Sequence, residues 1–138
     1  MKTKRFMIVF CAASLCISSG LVMAGMRFTS EVYVNDVYRS AGGTMTDARG
    51  SADNQQFIGC YSYYDTMGGA APYMGFCYAS NSAGMTKSCS TTNSAIVQSI
   101  RSISAESYIG FSWNADGTCR YVLVNNNSYY KPASATGF

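Results

Sequence analysis

The sequence predicts one β-rich domain with a minor helical part, stapled by disulfides. It is expected to be a small antiparallel sheet or an OB-like barrel of five to six strands crossed by one helix. Three observations carry this. Segments of alternating apolar and polar residues are separated by glycine-, serine- and asparagine-rich turns. Only one stretch has helical periodicity. Four cysteines remain once an N-terminal export signal is set aside.

The signal has three parts. Lys2, Lys4 and Arg5 form a positive start, residues 6–17 an apolar core, and Val22-Met23-Ala24 a small-residue cleavage site. The apolar core is too short to span a bilayer comfortably. Cys16 follows Leu15, where a lipoprotein needs a small residue. Cleavage is therefore expected after Ala24, giving a signal peptide over residues 1–24 and a single secreted or periplasmic domain over 25–138, with no membrane insertion after cleavage.

Removing the signal changes the charge. The seven cations that stay (Arg27, Arg39, Arg49, Lys87, Arg101, Arg120, Lys131) balance the seven acids (Glu31, Asp36, Asp47, Asp53, Asp65, Glu106, Asp116), so the formal +3 of the full chain belongs to the signal. A neutral domain has little to gain from counterion release, and nucleic acid is not an expected partner. Cys60, Cys77, Cys89 and Cys119 read as two disulfides with three possible connectivities. The chain has no histidine, and no cysteine pair has zinc-knuckle spacing. No metal or other cofactor is expected.

Along the chain, residues 28–38 read as a first strand and 41–55 as a long loop. Residues 57–64 are a second strand and 67–72 a glycine-rich turn. Residues 73–90 form a hairpin whose Ser82-Ala83-Gly84 loop puts Gly84 in a left-handed position. Counting outward from it sets Asn81 against Met85 and Cys77 against Cys89. That symmetry points to a Cys77–Cys89 bridge, leaving Cys60–Cys119 as the second pair. Residues 93–103 are the helix, capped by Asn93 or Thr92, with Ile96, Val97, Ile100 and Ile103 on one face. Residues 108–130 form the last hairpin, turning at Asp116-Gly117. Its register pairs Ala115 with Thr118, Trp113 with Arg120, Phe111 with Val122 and Ile109 with Val124. Ile109, Phe111, Val122 and Val124 share the core face, and Tyr108, Ser112, Tyr121 and Leu123 take the other.

Candidate chemistry is sparse. Without histidine there is no Ser-His or Cys-His nucleophile pair, and Lys87 and Lys131 stand in no recognisable serine–lysine motif. Asp36, Asp47, Asp53 and Asp65 flank turns rather than apolar runs, so they read as solvated turn formers and not as a raised-pKa acid. Their spacing misses a calcium loop. No catalytic residue is assigned and an enzyme is not expected. Aromatic display is the one enrichment that points to function. Tyr61, Tyr63 and Tyr64 follow Cys60, Tyr73 and Tyr78 flank Cys77, and Tyr129-Tyr130 close the last strand. Tyr61, Tyr63, Tyr64, Tyr129 and Tyr130 are the candidate ligand-binding aromatics, because an exposed ring offers apolar area with a polar handle to a glycan or a protein surface.

Over residues 57–132 the pattern Ile58-Gly59-Cys60-Tyr61, Gly75-Phe76-Cys77-Tyr78-Ala79, Lys87-Ser88-Cys89-Ser90, Ser107-Tyr108-Ile109-Gly110-Phe111-Ser112-Trp113, Gly117-Thr118-Cys119 and Val124 through Pro132 resembles a family of small exported bacterial proteins without an assigned activity. The order Phe76-Cys77, Gly84, Cys89, helix, Tyr108-Ile109-Gly110-Phe111 also resembles the B subunits of pertussis-like and subtilase-like AB toxins. That resemblance implies an OB fold, a pentameric homo-oligomer and glycan binding. No sugar-contacting residue of those subunits matches here, so none is carried over. The expectation is a non-enzymatic binding module for a glycan or a protein surface. The alternative is an exported inhibitor or structural protein acting through protein–protein contact, with residues 68–72 or 41–55 as its protruding loop.

Overall fold

Strand alternation and two tight hairpins build most of the molecule. The computed structural model describes residues 28–66 and 73–130. In order, the elements are β1 (Tyr33–Asn35), β2 (Ser40–Thr44), α1 (Met45–Arg49), β3 (Phe57–Tyr64), β4 (Tyr73–Ser80), β5 (Thr86–Thr91), α2 (Ser94–Arg101), β6 (Tyr108–Trp113), β7 (Cys119–Asn125) and a 3₁₀ turn at Ser128–Tyr130. They form two antiparallel sheets, one ordered β1-β2-β6-β7 and the other β3-β4-β5. The fold class is the expected β-rich one with a helix and two disulfides. The barrel form is not adopted: the sheets stay separate and do not close. The signal at 1–24 and the glycine-rich turn at 67–72 lie outside the described residues.

The β4–β5 hairpin follows its sequence signals. Gly84 takes φ +76°, Asn81 N–H donates to Met85 O at 3.1 Å, and the Asn81 side chain accepts from Ala83 N and Met85 N. Asn93 caps α2 by accepting from Ala95 N and Ile96 N at 2.9 and 3.3 Å. Val97 and Ile100 point inward from α2 and are buried. They meet Gly75 of β4 so closely that a methyl there would lie 2.7 Å from Ile100 Cδ1.

The β6–β7 hairpin has the expected pairs Phe111↔Val122 and Ile109↔Val124, but its tip differs. A bulge between Ser112 and Trp113 sets Trp113 opposite Cys119 rather than Arg120. Gly117, at φ +81°, is a single left-handed residue closing a turn in which its N–H donates to Asn114 O at 3.0 Å. A lone left-handed glycine gives a longer, bulged loop, whereas a two-residue turn requires both central residues at positive φ.

Residues 41–55 are not a loop. They contain most of β2 and all of α1, and Ala41–Thr44 are buried. The segment's small side chains are what larger neighbours require. A methyl on Gly43 would stand 2.9 Å from Val32 Cα, and one on Gly42 would stand 2.8 Å from the Tyr33 ring. The protruding loop expected there is therefore absent. Thr44 caps α1, accepting from Asp47 N, while the Asp47 carboxylate accepts from Ser30 N at 2.8 Å.

Inner faces of both sheets contribute to one core: Val32, Ala41, Ile109, Phe111 and Trp113 from one side, Ile58, Cys77, Ala79 and Cys89 from the other, with Ile100 of α2. Phe111 and Ile109 are fully buried.

The disulfides are Cys60–Cys77 and Cys89–Cys119, not Cys77–Cys89 and Cys60–Cys119. The register placing Cys77 opposite Cys89 is present, but Cys77 is also opposite Cys60. A central antiparallel strand residue sends both backbone groups to one neighbour, so it makes a wide hydrogen-bonded pair on that side and a narrow pair on the other. Ser90 N–H points away from β4, to Gly117 O, so Cys89 turns its groups toward Cys77 and that pair is wide. The narrow pair is Cys60 with Cys77, Cα–Cα 4.1 Å, and the sulfurs bridge there. Cys89 is left to join Cys119 at the start of β7.

Two outcomes are expected. Non-reducing peptide mapping of the oxidised protein should give Cys60–Cys77 and Cys89–Cys119 with no free thiol among the four. Gly43→Ala should lower unfolding stability by about 1–3 kcal/mol in urea titration, because the obstacle is the Val32 backbone and cannot swing aside.

Candidate functional site

The alternation of β3 and β4 sorts their aromatic residues onto two faces. Phe57, Tyr61 and Tyr63 of β3 share the outer face with Met74, Phe76 and Tyr78 of β4, in the register Gly59↔Tyr78, Tyr61↔Phe76 and Tyr63↔Met74. The rings form one band. Phe57 contacts Tyr78 at 5.6 Å between centroids, Tyr78 contacts Tyr61 at 6.3 Å, Tyr61 stacks on Phe76 at 5.2 Å, and Phe76 stacks on Tyr63 at 6.1 Å. The Tyr63 hydroxyl donates to Met74 Sδ at 3.0 Å. Gly59 leaves the space across which the Tyr78 ring lies: a methyl there would be 3.5 Å from the Tyr78 hydroxyl. An aromatic over a cross-strand glycine covers backbone that would otherwise face water.

Phe57, Tyr61, Tyr63 and Tyr78 are 41, 51, 44 and 39 % exposed. At roughly 200 Å² per side chain, they present on the order of 350 Å² of aromatic side chain, hydroxyls included, within the size range of the largest patch on an ordinary monomer, a patch that is often functional. In the two stacked pairs, with planes 16° and 11° apart, Tyr61 and Tyr63 each turn a ring face toward Phe76.

The other candidate tyrosines lie elsewhere. Tyr64 falls on the opposite face of β3, against Tyr73 at 4.9 Å, and the Arg101 guanidinium sits 5.5 Å above the Tyr73 ring. Tyr129 meets Phe28 edge-on at 5.4 Å. Tyr130 stacks on Tyr108 at 5.3 Å, in a second tyrosine group over the four-stranded sheet. There, Gly42 and Gly110 are register partners, and the Tyr108 and Tyr33 rings lie over Gly42. Burial raises the Tyr108 phenol well above its usual range, aided by the neighbouring Tyr33 phenol and by a hydrogen bond to it. Tyr121 and Leu123, exposed on β7, extend this group.

The structure thus brings together only Tyr61 and Tyr63 of the five expected residues, and adds Phe57, Met74, Phe76 and Tyr78. Carrying the 73–90 hairpin register through to β3 is the step that would have found these. Tyr33 and Tyr108 carried no such local signal, since β2 lies between their strands.

Asp36, Asp47, Asp53 and Asp116 are engaged in local structure. Asp36 pairs with Lys87 Nζ at 2.8 Å, an exposed contact of little energetic weight. Asp53 accepts from Gln55 N, Gln56 N and Gln56 Nε2 at 2.8, 3.0 and 2.7 Å. The Gln56 side chain, then the two backbone N–H groups, hold its pKa down at about 2. Glu31, Asp47 and Asp53 line an open cleft beside α1. Among the described residues no cluster of His, Cys, Asp or Glu could hold a metal ion.

No protein-family model matches the chain, and no match is found among curated proteins or solved structures.

Asp53 supplies a pH test. Its folded-state pKa lies below the ordinary 3.8, so its contribution is present above about pH 4 and is lost as pH falls toward 2. The urea midpoint of the native chain should drop over that interval, and the Asp53→Asn chain should show a smaller drop.

Proposed function

We propose that the protein is an exported, non-enzymatic binding module that engages the surface of another protein through the aromatic band on the outer face of β3 and β4. The observation that carries this reading is the band itself: five contiguous rings and a methionine, four of the rings well exposed. Tyrosine-rich surfaces suit protein recognition because each ring adds large contact area at the cost of few rotatable bonds. An inhibitor acting through protein–protein contact is the same reading with an enzyme as partner. Two disulfides fit an oxidising, extracytoplasmic location. Among the described residues no helix is long and apolar enough to cross a membrane.

Glycan recognition, the second reading, is favoured by a different surface. The exposed Tyr33 lies over Gly42, and the exposed Tyr121 is the register partner of Ser112, whose Oγ accepts from Arg120 Nε at 3.2 Å. That supplies rings and polar groups side by side.

The two surfaces can be tested against each other. The oxidised protein and its Tyr61→Ala/Tyr78→Ala and Tyr33→Ala/Tyr121→Ala variants would be compared in cross-linking capture and on a glycan array. Capture is expected to fall about tenfold or more for the first variant, the scale of losing one hot-spot aromatic, and to be unchanged for the second. Glycan binding abolished by Tyr33→Ala/Tyr121→Ala, with no protein captured through the band, would overturn the protein reading.

A further inference from the structure

The four cysteines are not two independent pairs. Cys60, Cys77 and Cys89 stand side by side on β3, β4 and β5, in one cross-strand row packed on the core. Cys77, at the centre, faces a cysteine on each side. It is bonded to Cys60, while Cys89 is bonded out of the row, to Cys119 of β7. A wide pair such as Cys77 and Cys89 has a Cα separation of about 5.5 Å, inside the range that a disulfide spans. The middle sulfur thus has two allowed partners, and the one it does not hold is itself half of a disulfide.

Exposure sets which bond a solvent thiol attacks. Cys77, Cys89 and Cys119 are buried, at 0, 3 and 7 % exposure. Cys60 is the partly exposed member of the four. Thiol–disulfide exchange starts on a sulfur that a thiolate can reach. An external thiolate therefore attacks Cys60 Sγ, and the bond to Cys77 breaks. Cys77 leaves as a thiolate, the nucleophilic form, and the register holds it beside Cys89.

We propose that Cys60, Cys77 and Cys89 form an exchange relay, through which a small-molecule thiol that attacks Cys60 opens the buried Cys89–Cys119 bond between the sheets. In the first step a bond forms between the small thiol and Cys60 Sγ, and Cys60–Cys77 breaks. In the second, the Cys77 thiolate attacks Cys89 Sγ. Cys77–Cys89 forms, Cys89–Cys119 breaks, and Cys119 leaves as a thiolate that takes up the proton the small thiol gave up. Two disulfides break and two form, so no oxidant or second reductant is consumed. The product carries the small thiol on Cys60, a Cys77–Cys89 staple within the β4–β5 hairpin, and a free Cys119 thiol. A neighbour held in register acts at an effective concentration above the millimolar range of a thiol in solution. The relay depends on the cysteine row alone and not on the proposed binding role of the aromatic face.

The test treats the folded, oxidised chain with reduced glutathione, traps thiols with iodoacetamide and maps the bonds by non-reducing peptide analysis. Far-UV circular dichroism checks that the strands persist throughout. The expected species has glutathione on Cys60, a Cys77–Cys89 bond and alkylated Cys119. Cys77→Ala breaks the row, and release of the Cys119 thiol by glutathione should then slow about tenfold or more. Should Cys77→Ala fail to fold, Cys60→Ala leaves Cys77 as a permanent thiol beside Cys89. That chain should yield Cys77–Cys89 and alkylated Cys119 with no glutathione added. A trapped species with Cys89–Cys119 intact and Cys77 alkylated would overturn the proposal. So would undiminished release of Cys119 from a folded Cys77→Ala chain, or Cys89–Cys119 as the sole bond of a folded Cys60→Ala chain.

Discussion

The two sheets share no strand, and a covalent clamp ties them together. Cys89 of β5 is bonded to Cys119 of β7, and next to it Ser90 N–H reaches Gly117 O. The bond joins residues 30 positions apart, which in the chain-entropy view stabilises the fold by about 3–4 kcal/mol. Its directional effect matters as much. It sets where the outer hairpin lies against the inner one, and so brings Phe111 and Trp113 over Cys77, Cys89 and Ala79 in one core.

The direction of one backbone then propagates across the neighbouring sheet. With Ser90 turned out to Gly117, Cys89 must turn toward β4 and Cys77 toward Cys89, which leaves Cys60–Cys77 as the narrow pair. The disulfide connectivity thus follows from one hydrogen-bond phase. The aromatic band lies on the far side of these strands from the cysteines, so the residues that staple the sheet and those it displays alternate along β3 and β4.

Glycine placement serves the displayed faces. Gly59 makes room for the Tyr78 ring, and Gly42 makes room for Tyr33 and Tyr108. In both sheets a tyrosine fills what a side chain would have occupied, so the outer surfaces are aromatic while the strands beneath carry small residues. The binding role proposed for the three-stranded sheet draws on this arrangement, and so does the competing glycan surface on the four-stranded one.

Local signals in the sequence determined β3, the β4–β5 hairpin with Gly84, the Asn93-capped helix and the core register of Phe111 and Ile109 against Val122 and Val124. Each of these depends on residues a few positions apart, through alternation, capping or turn geometry. Only the tertiary structure decided the rest. The 41–55 segment reads as a loop because its residues are small, and their smallness makes sense only beside Val32, Tyr33 and Tyr108. Cys77 has an in-register cysteine on both sides, and the choice between them is made by the phase of a hydrogen bond from Ser90 to a different hairpin. Of the tyrosines grouped by sequence proximity, Tyr61 and Tyr63 stay together because they are two apart on one strand face. Tyr64 goes to the other face for the same reason, and Tyr129 and Tyr130 part because each ring is claimed by a different neighbour, Phe28 and Tyr108.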